Sequence, residues 1–195
     1  MDIADTIRSL NVFDLLVFLF LFAMFILGFM QGTIRRLLGI GSILFSFLFA
    51  TQVREPLGQF LASNWPYNSD YSYMIGYVAV FLAASLAFTV VLQAFYKSQH
   101  LFPDHPSLDE VLGGILGVVQ GLIVLIAVIM ILDPFFQLPG IPISANEFPL
   151  IRDFHQALDG SATATIFRQT VIPSILAVAG AFFPDAVKAV FPNFN

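Results

Sequence analysis

Four stretches of this chain contain no Asp, Glu, Lys or Arg: residues 15–34, 37–53, 71–96 and 111–132, which are 20, 17, 26 and 22 residues long. A helix that crosses a bilayer needs about 20 mainly apolar residues, with a working range of about 17–25. No water reaches that depth, so a lone spanning segment must satisfy its own backbone, and each stretch is expected to be an α-helix. Composition agrees: 58% of the 195 residues are hydrophobic and 11% are charged, where an average soluble domain has about 25% charged. The fold class is therefore an all-α membrane protein. A four-helix transmembrane domain is expected over residues 1–133, with helices at about 12–32, 35–53, 73–96 and 109–132. The first helix is expected to stay in the mature protein. Its apolar run exceeds the roughly 7–15 residues of a signal-peptide core, and the residues before it are acidic rather than basic.

The connections carry their own signals. Helix one opens at "NVFD", where Asn11 can cap and Asp14, three residues on, can reach back to the free amides of the first turn. The turn "MQGTIRR" is short enough to make helices one and two antiparallel neighbours. Residues 54–70 include Pro56, Trp65, Pro66 and Tyr67 and run into Tyr71 and Tyr73, which reads as a surface loop with its rings at headgroup level. Ser107 and Glu110 have the spacing of a capping box for helix four. Pro134 pushes Asp133 out of the helical region and ends that helix.

Residues 134–195 read as a proline-interrupted linker and a helical tail. Leu150, Ile151, Phe154 and Leu158 recur at helical spacing with charges between them, the pattern of an amphipathic helix lying on the membrane or on the bundle. The uncharged run 169–184 is cut by Pro173 and Pro184 to about 174–183, which is too short to span and so is expected to be interfacial or re-entrant.

Most chemistry is excluded by residue type. There is no cysteine, so neither disulfides nor thiolate sites are available. Eight scattered basic residues and a net charge of −5 do not make a nucleic-acid surface. "HLFPDH" brings His100, Asp104 and His105 close together, but two imidazoles in a proline-broken loop lack a third ligand at a defined spacing; a solvated loop is expected. No strand–turn–helix elbow supports a Ser–His–Asp site. The chain offers no catalytic, cofactor-binding or metal residue and is not expected to be an enzyme.

Transport usually places ionisable residues at mid-membrane depth, whereas here the acids and bases lie at segment ends. The mid-depth polar residues are Ser46, Ser85, Thr89 and Gln120, for which hydrogen bonds between helices are expected. An oligomeric channel lined by Ser85, Thr89 and Gln120, or an accessory subunit of a large membrane complex, are the alternatives to a scaffold.

The most specific signal is a glycine row. Gly113, Gly117 and Gly121 recur every four residues on helix four, so they form one gently spiralling groove without side chains. Helix one carries a shorter copy at Gly28 and Gly32, and helix two begins with Gly39 and Gly41. Helices in lipid associate through close backbone approach, dispersion and interhelical hydrogen bonds. The row, with Gln120 beside it, either packs helix four within its own chain or receives another subunit. The partners expected are membrane lipids and other membrane proteins or a second copy of this chain.

These motifs resemble the colicin V production protein family. "DLLVFLFLFAMFILGFMQGTIRRLLGIGS" is similar to the family's opening, with Asp14, Gly28, Phe29, Gly32, Arg35, Leu37 and Leu38 on the pattern. "LDEVLGGILGVVQGLIVL" resembles its second hallmark through Asp109, Leu112, Gly113, Gly117 and Gly121. The resemblance covers about residues 12–133. Glu110, Gln120 and Gln31 stand where the family often has basic residues, and Arg36 where it often has an acid. The resemblance implies a bacterial inner-membrane protein with four transmembrane helices, linked to colicin V production or export and to envelope homeostasis. It also implies that the segment after helix four lies outside. Arg35 and Arg36 in the first hairpin point the same way, toward a cytoplasmic hairpin and external termini.

Overall fold

The computed structural model describes residues 11–65, 69–95, 101, 106–136, 149–179, 188 and 191. Four long helices, α1 (Val12–Gln31), α2 (Thr33–Asn64), α3 (Ser69–Phe95) and α4 (Pro106–Phe136), are followed by α5 (Pro149–Asp159) and α6 (Ala162–Ile166). A wide π turn at Phe167–Val171 then leads into α7 (Ile172–Ala179). No strand occurs among the described residues. Helices α1 to α4 are each long and apolar enough to cross a membrane, and the chain is a multi-pass membrane protein.

Small residues decide which helices pair. Gly28 of α1 lies against Gly113 of α4, and Met24 against Gly117, so these two helices run antiparallel in close backbone contact. Helix α2 runs antiparallel to α3, joined by the Phe45–Phe88 edge contact at 4.7 Å and by Thr51 Oγ1 to the Tyr77 hydroxyl at 2.8 Å. Further along, Gly58 faces Gly76 and the Tyr73 ring. The expectation that the short hairpin makes α1 and α2 packing neighbours is corrected: α1 packs on α4 and only lightly touches α2. The glycine-lined face of α4 admits α1 more closely than the bulkier α2 could. Gly32, at φ 76°, makes the turn that sends α2 away.

Several element boundaries differ from expectation. Helix α2 continues past residue 53, through Pro56, to Asn64. Its extension is held by packing of Gly58 and the buried Leu61, which outweighs the lost amide. Tyr71 is not a headgroup anchor; it is buried between α3 and α4 with its ring 5.4 Å from that of Phe135. Tyr73 covers Gly58. Helix α4 already includes Ser107, so Pro106 takes the first helical position, which suits its fixed φ. At its other end α4 runs on through Asp133 and Pro134 to Phe136.

The tail is part of the core. Leu158, Phe167, Ile172 and Leu176 share one buried cluster with Phe13, Phe47, Phe81 and Met130 of the spanning helices. On α5 the buried face carries His155 and Leu158, while Leu150 is exposed. Pro173 does not break the tail, because an apolar helical run extends from Ala162 to Val178. A proline ring clashes with the carbonyl four residues before it. The π turn just upstream, where the Ile172 amide donates to the Phe167 carbonyl, widens the helix at that point. Pro66, Tyr67, Pro139, Gly140, Pro142 and Pro184 lie outside the described residues.

Candidate functional site

The bundle has two polar ends joined by the glycine seam. A Cβ on Gly28 or Gly117 would collide with the carbonyl of Gly113 or Met24 respectively, and one on Gly113 would lie 2.5 Å from the Gly28 carbonyl oxygen. Gly121 meets Leu21, Met24 and Phe20. The row therefore faces α1 of its own chain. Only glycine allows the two backbones this proximity.

At the hairpin end, Asp109 is buried and knots the turn to α4. It accepts from the Thr33 amide at 3.4 Å, and its backbone carbonyl accepts from Thr33 Oγ1 at 3.0 Å. A Cβ on Gly32 would stand 2.7 Å from Asp109 Oδ2. One turn into α2, Arg36 is buried and its Nη1 donates to Gln120 Oε1 at 2.8 Å. Gln120 thus bonds to a neighbouring helix, through a cation that stands at a segment end in the sequence. Arg36 reaches inward because the neutral amide of Gln120 lies on the facing side of α4.

At the opposite end, two carboxylates from the spanning helices hold the tail. Asp14 accepts from the Asn11 amide at 3.1 Å, which is the backbone half of the expected cap. It also accepts from the Ala162 and Thr163 amides at 3.2 and 3.0 Å and from Thr163 Oγ1 at 2.8 Å. Ser161 Oγ takes the Ala164 amide at 3.0 Å. Between them, Asp14 and Ser161 satisfy the first three amides of α6, groups that no helix can satisfy internally. Asp133, fully buried, accepts from Arg168 Nε at 2.7 Å and Nη2 at 2.8 Å, with His155 Nε2 3.1 Å from its Oδ1. Arg168 Nη1 continues to Asp159 at 2.6 Å. Burial works against the Arg168 charge, but the hydrogen bonds and charge of Asp133, helped by Asp159, outweigh it and raise the arginine pKa above its ordinary value. Phe136 stacks on His155 at 4.4 Å, and Arg152 sits over the same ring at 5.5 Å.

Of the residues singled out in the sequence, Gly28, Gly32, Gly113, Gly117, Gly121, Gln120 and Asp109 gather along the α1–α4 seam and its hairpin end. Asp14 stands at the other end. Phe29 is exposed, and Arg35 and Leu112 are half-buried. The Asp133–His155–Arg168 cluster was missed. Its one sequence signal was an acid at the end of an apolar run followed by a lone arginine inside another. Among the described residues, no group of three His, Asp or Glu could hold a metal ion; His100, Asp104 and His105 lie outside them.

Chemically, these arrangements are locks. Each buried carboxylate accepts hydrogen bonds that fix one helix to another. A family model described as colicin V production protein matches residues 13–170, a span that takes in all four long helices and reaches past residue 133 to include His155 and Arg168. No curated protein and no solved structure gives a match.

Proposed function

This chain belongs to the colicin V production protein family, and from that premise we propose that it is a non-enzymatic membrane scaffold, an assembly subunit supporting toxin production or secretion, or envelope homeostasis. The family is not one of known enzymes. In this reading the chain sits in the bacterial inner membrane with the Gly32 hairpin toward the cytoplasm and the tail outside. Other membrane proteins, or further copies of the chain, dock on its lipid-facing sides.

The observation that carries the reading is the engagement of Asp14 and Asp133. Both carboxylates are buried, and both hold tail helices onto the ends of spanning helices. A transport path would keep such groups facing a cavity at mid-depth. Here they tie the tail helices to the four spanning helices in one packed unit, a preformed end that a partner could recognise without an ordering cost. The glycine seam serves the same end by making α1 and α4 one unit.

Isolation of the tagged full chain in a mild detergent tests this. The expected result is one or more envelope proteins at fixed stoichiometry, lost when the tail is released by Arg168→Leu. A chain that runs alone in wild-type and variant form, with an unaltered envelope in cells lacking it, would remove the scaffold reading.

A further inference from the structure

Where α1 and α2 part from the hairpin, a cleft of about 250 Å³ opens among all four spanning helices. Its polar lining is Arg35 and Arg36 with Gln31, Ser42, Thr89 and Gln120. Arg36 is 5% exposed, and its one hydrogen-bond partner among the described residues is the neutral Gln120. Its Nε is buried without a partner. The ion pairs among the described residues all lie at the other end of the molecule, on Asp133 and Asp159.

A buried guanidinium without a counter-ion is costly, because desolvation of the charge is not repaid by a neutral amide. A second arginine beside it makes the site still more positive. Gln120→Glu would have cured this within the protein, yet the chain keeps the neutral residue. No carboxylate among the described residues pairs with Arg36, so a bound anion would supply the missing charge.

We propose that this cleft binds a phosphate anion, with Arg36 as its principal ligand and Arg35 at its mouth. A guanidinium presents a planar fork of donors that suits phosphate oxygens. Arg36 also stands one turn inside α2, whose N-terminal end favours negative charge. The cleft runs from Gln31 and Arg35, beside the hairpin at one end of the spanning helices and so at the level of phospholipid headgroups, inward to Thr89 and Gln120. Met24, Leu27, Leu38 and Leu92 line the same cleft, so apolar groups adjoin the polar ones, as a headgroup joined to acyl chains requires. An acidic phospholipid such as phosphatidylglycerol meets all of these conditions, and free phosphate meets the first two. The site is independent of the scaffold role proposed above.

Thermal unfolding of the purified full chain in mild detergent tests the site. The additions are phosphatidylglycerol, phosphatidylcholine as a zwitterionic control, and inorganic phosphate. Phosphatidylglycerol is expected to raise the wild-type Tm by on the order of 5–10 °C at a hundredfold excess over its Kd, well beyond the effect of phosphatidylcholine. Inorganic phosphate matching that rise would assign the site to the soluble anion; a rise confined to phosphatidylglycerol assigns it to the lipid. Either result supports a phosphate site once the variants agree. Arg36→Gln should lose the increment. Gln120→Glu places a carboxylate beside the guanidinium, so it should raise the ligand-free Tm and abolish the response to either phosphate source. It remains informative even where Arg36→Gln does not fold. The proposal is overturned by equal shifts with all three additions, or by a phosphatidylglycerol increment that survives in Gln120→Glu.

Discussion

Asp133 and Arg168 close a 35-residue span of chain with two hydrogen bonds, Nε to Oδ2 at 2.7 Å and Nη2 to Oδ1 at 2.8 Å. The carboxylate belongs to the last turns of α4 and the guanidinium to the π turn of the tail. Because Asp133 is fully buried, the pair does more than decorate a surface: it fixes where the tail enters the core.

Arg168→Leu is expected to free the tail while leaving α1 to α4 paired. Removing one partner of a buried ion pair costs about 3–5 kcal/mol, since the other charge stays behind. Limited proteolysis should then cut within residues 149–179, which are expected to resist in the wild type. If the cleavage pattern is unchanged, the pair is not what seats the tail.

The pH response of the arginine follows from its raised pKa, which Asp133 causes against the opposing effect of burial. A group raised in the folded state stabilises fully below its unfolded pKa and loses that contribution only as pH climbs through the folded value. For an arginine both values lie well above the pH window of this test. Raising the pH from 7 to 10 should therefore leave the tail protected from protease, and a loss of protection in that window would count against Arg168 as its anchor.

Asp14→Ala removes the acceptor of the Ala162 and Thr163 amides and of the Thr163 hydroxyl. Leaving such donors unmatched costs about 1–3 kcal/mol, concentrated at the start of α6. Hydrogen exchange of residues 162–166 should quicken by roughly 5- to 150-fold, the equivalent of that cost, while amides within α4 keep their rates. Uniform acceleration throughout the chain would mean that Asp14 supports the whole bundle instead.

The seam gives a matched pair of substitutions. Gly117→Ala inserts a Cβ into the Met24 carbonyl, whereas Gly41 has open space around its Cβ position. Overpacking of this kind costs about 1–3 kcal/mol, while Gly41→Ala should gain up to about 1 kcal/mol of helix propensity. Melting of the two variants in detergent should move in opposite directions. Similar shifts in both would deny the seam its special role.

Orientation is accessible because the chain lacks cysteine. Single cysteines at the exposed positions Ser107 and Ser63 lie at opposite ends of the bundle. A membrane-impermeant thiol reagent applied outside intact cells should label Ser63→Cys and spare Ser107→Cys. The reverse pattern would place the hairpin outside.

Much of the architecture was legible before any coordinates. Runs without charge located the four spanning helices, because lipid forbids any other way to satisfy the backbone. The glycine spacing identified the tightest helix contact, since a side-chain-free groove has value only where a backbone approaches. Asp14 and Asp109 stood out as acids at the mouths of apolar segments. Proline misled at positions 56, 134 and 173: each reads as a stop, yet packing of Gly58 on α3, the Arg168 clamp on Asp133 and the π turn before Pro173 carry the helices through.

What the sequence determined alone was therefore local and one-dimensional: which segments enter lipid, where their charges stop, and which helix face lacks side chains. Tertiary structure decided which helix that face meets, choosing α1 of the same chain, and sent α2 to α3 despite the single-residue link at Gly32. It also made Asp133, His155 and Arg168 neighbours and turned Arg36 inward to Gln120. Hydrogen bonds and ion pairs between distant residues depend on how helices pack in three dimensions, and periodicity along a chain holds no record of that packing.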